Sequence, residues 1–95
     1  MRLRGTTNLS TLSLLKLNEV HWVSTLRLQF GRNLRRLRKQ RNITQERLAE
    51  TANLSVEQIS FIERGISGAS FDSLPRLAEA LNVSVKDLFT SEQET

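Results

Sequence analysis

Residues 44 to 65, TQERLAETANLSVEQISFIERG, fit two short amphipathic helices and a tight corner into twenty-two positions. Leu48 and Ala49 carry the apolar face of the first segment, with Ala52 one turn on, and Ile59 and Ile62 repeat the pattern in the second. Between them Asn53-Leu54-Ser55 is too short for a linker and well suited to a sharp turn. Helices joined this closely cross at a steep angle, and the second then presents one face that a nucleic-acid groove can accept. That outer face carries Val56, Glu57, Ser60, Phe61 and Arg64.

The corner is repeated along the chain as Asn42-Ile43-Thr44, Asn53-Leu54-Ser55 and Asn82-Val83-Ser84. Taken as glycosylation acceptors these tripeptides require a secretory signal. The leucine-rich start does not read as one, because Ser10, Ser13 and Lys16 interrupt it and no small-residue cleavage site follows. A structural reading accounts for all three. Asn tolerates the left-handed conformation that ends a helix, and the Ser or Thr caps the next one. Four residues after each cap stands an apolar residue (Leu48, Ile59, Leu88), the partner expected for a hydrophobic staple. Gln58 and Asp87, three residues after Ser55 and Ser84, complete a capping box and a close variant of one.

These corners predict five helices. The first runs from about Phe30 to Arg41 with Leu34 and Leu37 inward, the second from Gln45 to Ala52, and the third from Val56 to Arg64, closed by Gly65. Ser70 is a candidate cap for a fourth helix that buries Leu74, Leu77, Ala78 and Leu81, with Pro75 near its first turn. The fifth spans about Val85 to Thr90. The expected fold class is therefore all-α: a compact five-helix domain over residues 30–90, an N-terminal extension or arm over 1–29, and a polar tail over 91–95. In the extension Leu12, Leu15, Val23, Leu26 and Phe30 fall at helical spacing, whereas Leu26, Leu28 and Phe30 alternate, so its structure stays open.

Ninety-five residues suit one domain with a leucine-type core, since 38% of the chain is hydrophobic and only 5% aromatic. With no cysteine and one histidine, His21, neither a disulfide framework nor a metal cluster is expected. Charge is distributed unevenly. Residues 1–42 hold ten Lys/Arg against the single acid Glu19, whereas residues 43–95 hold four against nine acids. The densest run is Arg32, Arg35, Arg36, Arg38, Lys39 and Arg41. Alone, such a run marks a solvated helix face, but beside a helix-turn-helix pattern it favours a polyanion. No apolar stretch approaches the roughly 20 residues that span a bilayer, and a cytoplasmic location is expected.

From Phe30 to Phe89 the chain resembles the lambda-repressor-like, Cro-type helix-turn-helix domains of the XRE group. LRKQRNITQ, LAE, IERG and LAEALNVS, in that order, carry the resemblance, and nothing in residues 1–29 matches. The resemblance implies that Gln45 contacts a DNA phosphate at the start of the second helix. It implies that Arg64 reaches the DNA backbone, and that Arg38 and Glu63 form a partly buried structural ion pair. Base reading falls to Ser55, Val56, Glu57, Ser60 and Phe61. Val56 and Phe61 can pack on thymine methyls, Ser60 can bond to several bases, and Glu57 can accept from cytosine N4. Three of them have a plainer role as well: Phe61 in the core, Glu57 favouring the positive end of its helix, Val56 as a spacer. The loop Ile66–Ala69, basic in many relatives, is neutral here, which shifts the expected backbone contacts to the first helix or to Arg2, Arg4, Lys16 and Arg27.

The leading functional expectation is a transcription regulator that binds double-stranded operator DNA as a homodimer. Its self-contact would use Leu88 and Phe89, the corner before the fifth helix, or residues 1–29. The competing expectation is an antitoxin-like protein that neutralises a protein partner and autoregulates through DNA. No enzyme, cofactor or membrane association is expected; Ser13–Lys16 matches S-x-x-K without its companion motifs.

Overall fold

The computed structural model describes the backbone of residues 9–91 and the side chains of residues 25–91. Among the described residues the elements are α1 (Leu9–Gln40), α2 (Gln45–Ala52), α3 (Val56–Glu63), α4 (Ser73–Leu81) and α5 (Val85–Leu88), with no strand. Arg2, Arg4 and the tail beyond Ser91 lie outside the described residues, as do the side chains of Lys16, His21 and Trp22.

The three Asn corners form as the tripeptides dictate. Asn42, Asn53 and Asn82 all have φ between 56° and 59°, in the left-handed region where an Asn side chain is tolerated. Thr44 Oγ1 accepts from Arg47 N at 3.0 Å, and Ser55 and Ser84 each close a capping box with Gln58 and Asp87. Ile43, Leu54 and Val83, one before each cap, pack half-buried against the core. Such a cap is worth about 1 kcal/mol, a large fraction of what helices this short have of their own. The fourth helix opens differently. Its regular part starts at Ser73, and the capping hydrogen bond comes from Ser70, whose Oγ accepts from Ser73 N at 3.2 Å.

The core gathers Phe30, Leu34 and Leu37 of α1, Leu48 and Ala52 of α2, Ile59 and Ile62 of α3, Leu77 and Leu81 of α4, and Leu88 of α5. Leu34, Leu48, Ile59, Leu77, Leu81 and Leu88 have no exposed surface; burying each such side chain contributes about 1.5–3 kcal/mol. Leu88 is thus core, which removes it from the expected self-contact surface and leaves Phe89, the corner before α5 and residues 1–29 as the expected alternatives. Polar bonds fix α5 on α1: Asn33 Nδ2 donates to Leu88 O at 3.2 Å and Arg36 Nη2 to Thr90 O at 3.1 Å. The Phe30 and Phe89 rings lie 5.0 Å apart between centroids. From α4, Arg76 Nε donates to Ala52 O at 2.9 Å and so satisfies a carbonyl at the end of α2.

The expected start of the first helix near Phe30 is corrected. α1 begins at Leu9 and runs unbroken for 32 residues. Residues 9–30 contain neither proline nor glycine, and their serines and threonines lower helix propensity by only a few tenths of a kcal/mol each. Gly31 does not end the helix; it is where α3 crosses. A Cβ there would fall 2.6 Å from the Glu63 carbonyl oxygen and against that of Ile62.

Candidate nucleic-acid interface

The α2–α3 corner sets the site. Leu54 N donates to Ala49 O at 2.8 Å, which folds the chain back over the last turn of α2, and Ser55 then launches α3. Ile59, Ile62 and Glu63 face inward with at most 6% of their surface exposed. Helical spacing then puts Val56 above Ser60, and Glu57 above Phe61, on the opposite side. Val56, Glu57, Ser55 and Arg64 are exposed, while Ser60 and Phe61 are half-buried. Ser55 Oγ accepts from Gln58 N at 3.0 Å, so its acceptor is engaged in the cap while its hydroxyl proton remains available to a base or phosphate oxygen.

Behind this face lies a buried network. Arg38 Nε and Nη2 donate to Glu63 Oε2 and Oε1 at 2.6 and 3.1 Å, a bidentate pair, and Arg38 Nη1 donates to Ile43 O at 2.8 Å. The side chains are 10% and 2% exposed. Gln45, half-buried at the start of α2, donates from Nε2 to Glu63 Oε1 at 3.0 Å. Its amide has two N–H donors, so one stays free for an outside oxygen while the other is held. The start of α2 and the end of α3 are therefore braced through one carboxylate, and a phosphate contact at Gln45 would fix the position of α3.

Arg64 ends α3 with its guanidinium carbon 5.3 Å from the Phe61 ring centroid, a cation–π distance that lays the charge along the outer face. The neutral loop after Gly65 acquires a cation from another element. A Cβ at Gly68 would lie 3.7 Å from Arg27 Nε, so α1 brings Arg27 beside that loop. Sequence reasoning named Arg27 without this placement, because it follows only when α1 continues upstream of Phe30. It gave no role to Gly31, Asn33 or Arg76; a glycine and an asparagine inside an otherwise good helix were the available signals.

The fold and this face define a helix-turn-helix protein. The helix-turn-helix family model matches residues 34–88, and the chain belongs to that family. It is 39% identical over 66 residues to the control protein C.BamHI of Bacillus amyloliquefaciens, covering 68% of this chain and 82% of that one. Among solved structures it superposes on the restriction-modification controller protein C.AhdI from Aeromonas hydrophila with a TM-score of 0.65 and 33% identity, over 66% of this chain and 96% of that one. The hypothetical transcription factor NHTF from Neisseria gives a TM-score of 0.68 at 29% identity, over 73% and 79%. The XRE-type resemblance and the all-α fold are thereby established, and with them a DNA-binding regulator class.

Proposed function

We propose that this chain is a sequence-specific transcription regulator that binds operator DNA as a homodimer, with α3 of each copy in the major groove. The observation that carries the reading is the free outer face of α3, braced from behind by Glu63 through Arg38 and Gln45. In this reading residues 30–90 form the DNA-binding domain, 1–29 an extension and 91–95 a tail. Gln45 and Arg64 contact phosphates, and Ser55, Val56, Glu57, Ser60 and Phe61 face the bases. No chemical step is assigned to any residue. The named relatives are controllers and transcription factors, which favours this reading over the antitoxin-like one.

One α3 reads few base pairs, so a symmetric pair of half-sites about 34 Å apart is expected. Support for self-association comes from an apolar cavity of about 200 Å3 between α1, α4 and α5, lined by Leu26, Phe30, Leu74 and Phe89. Phe71, also at its edge, is 89% exposed. A face that carries both a projecting ring and a hollow suits a two-fold contact, where each copy supplies both. Selection from a randomised duplex pool at about physiological salt, where non-specific binding is weak, tests the reading. An enriched inverted repeat supports it; salt-labile binding with no enriched sequence overturns it. Phe71→Ser is expected to weaken the dimer at least tenfold in sedimentation equilibrium while leaving the helical circular dichroism unchanged.

Gln45→Ala and Ser60→Ala divide the roles. The first is expected to lower affinity for every duplex alike, with a stability loss of about 1.5–3 kcal/mol from the charge-assisted bond to Glu63. The second is expected to change which sequence is preferred. Titration of both variants against the selected duplex and its single-base mismatches checks the division, which fails if the two shift all duplexes equally.

A further inference from the structure

The outer face of α3 is short of the groups that read purines. Ser55, Val56, Glu57, Ser60 and Phe61 include no Arg, Asn or Gln, the side chains that bond bidentately to guanine or adenine. Gln58 is on the same helix, but its Oε1 accepts from Ser55 N at 2.8 Å in the capping box. What remains is one acceptor-only carboxylate, the Ser55 and Ser60 hydroxyls, which bond to purines and pyrimidines alike, and two apolar side chains. Val56 is 38% exposed and Phe61 is half-exposed.

Their spacing has a chemical meaning. Glu57 and Phe61 are four residues apart on one face, which puts their Cβ atoms about 5–6 Å from each other. In the major groove cytosine presents its N4 donor beside the C5 edge, and thymine presents a methyl group at C5. A cytosine facing this pair offers N4–H to the Glu57 carboxylate and C5 to the Phe61 ring. A methyl group at C5 would give the ring apolar surface to bury that a hydrogen there does not. Arg64 lies 5.3 Å from the centre of that ring, so one guanidinium charge stands beside the proposed methyl contact.

We propose that α3 reads C5-methyl groups on pyrimidines, so that cytosine methylation in the half-site strengthens binding and loss of a thymine methyl weakens it. The inference rests on the reading of α3 as the groove-entering helix and names what that helix recognises there.

The test uses the full chain and the duplex enriched from the randomised pool. Each half-site thymine is replaced singly by uracil and each cytosine by 5-methylcytosine, and affinities are compared with the parent duplex. Burying one methyl-sized group predicts about a fourfold change per contact: a loss at uracil opposite Val56, and a gain at 5-methylcytosine opposite Glu57 and Phe61. Val56→Ala, a change at an exposed position, abolishes the uracil penalty, and Phe61→Leu reduces the 5-methylcytosine gain. Binding that is sequence-specific but indifferent to every methyl substitution overturns this inference alone. So do methyl effects that persist unchanged in both variants. Failure to enrich any sequence overturns the regulator reading, and this inference with it.

Discussion

Glu63→Ala is expected to cost about 3–5 kcal/mol, enough to bring a domain of ordinary stability close to unfolding at 37 °C. The reason is the charge left behind. Arg38 is 9% exposed as a whole residue and cannot leave its site to find water, yet it would lose both bonds of the bidentate pair and keep only the one to Ile43 O. Gln45 would lose its acceptor at the same time. Thermal unfolding followed by circular dichroism checks the size: at about 4–8 °C per kcal/mol for a small domain, the midpoint should fall by well over 10 °C. A double variant, Arg38→Met with Glu63→Leu, separates architecture from function. Replacing both charges by apolar groups of similar volume commonly restores stability. The brace on Gln45 stays lost, so DNA affinity should remain reduced although the fold is recovered. A double variant as unstable as the single one would mean that the pair fixes the α1–α3 geometry in a way apolar packing cannot replace.

Most of the domain from Phe30 onward was legible because its signals are local. An Asn in the left-handed region and a Ser or Thr cap each act within one turn, so each tripeptide carries its own corner. The core followed for the same reason, since Leu48 and Ala52, Ile59 and Ile62, and Leu74, Leu77 and Leu81 each repeat at helical spacing within their own helix. What stayed hidden depends on contacts between elements. Propensity alone left residues 9–29 open, because alternation at Leu26–Phe30 competed with helical spacing and no cap marks a boundary. Leu88 was given two incompatible tasks, staple and self-contact, and burial decides for the first. On the interface, helical spacing found the outward residues of α3, but it could not show that the Gln45 amide is bonded to Glu63 or that Arg27 reaches the loop at Gly68. Those depend on how α1, α2 and α3 cross.

Gly31→Ala tests that crossing most directly, because two effects of opposite sign compete at one methyl group. By helix propensity the substitution should stabilise α1 by about 1 kcal/mol. By sterics it should not be tolerated: the new Cβ would lie 2.6 Å from the Glu63 carbonyl oxygen, 2.9 Å from its carbon, and against the Ile62 carbonyl. These are backbone atoms at the end of α3, so relief requires moving the helix and not rotating a side chain. Overpacking of this kind costs about 1–3 kcal/mol and sometimes more, so net destabilisation is expected, read as a lower unfolding midpoint. Gly68→Ala is the matched control, since its nearest neighbour would be Arg27 Nε at an ordinary 3.7 Å, and it should leave stability unchanged. The displacement has a functional consequence as well. Pushing the end of α3 away from α1 strains the Arg38–Glu63 bonds and tilts Phe61 and Arg64, so affinity for the selected duplex should fall more than for random DNA. If Gly31→Ala instead raises the unfolding midpoint, the α1–α3 contact is looser than the geometry here, and Glu63 cannot brace Gln45 as firmly as the proposed function requires.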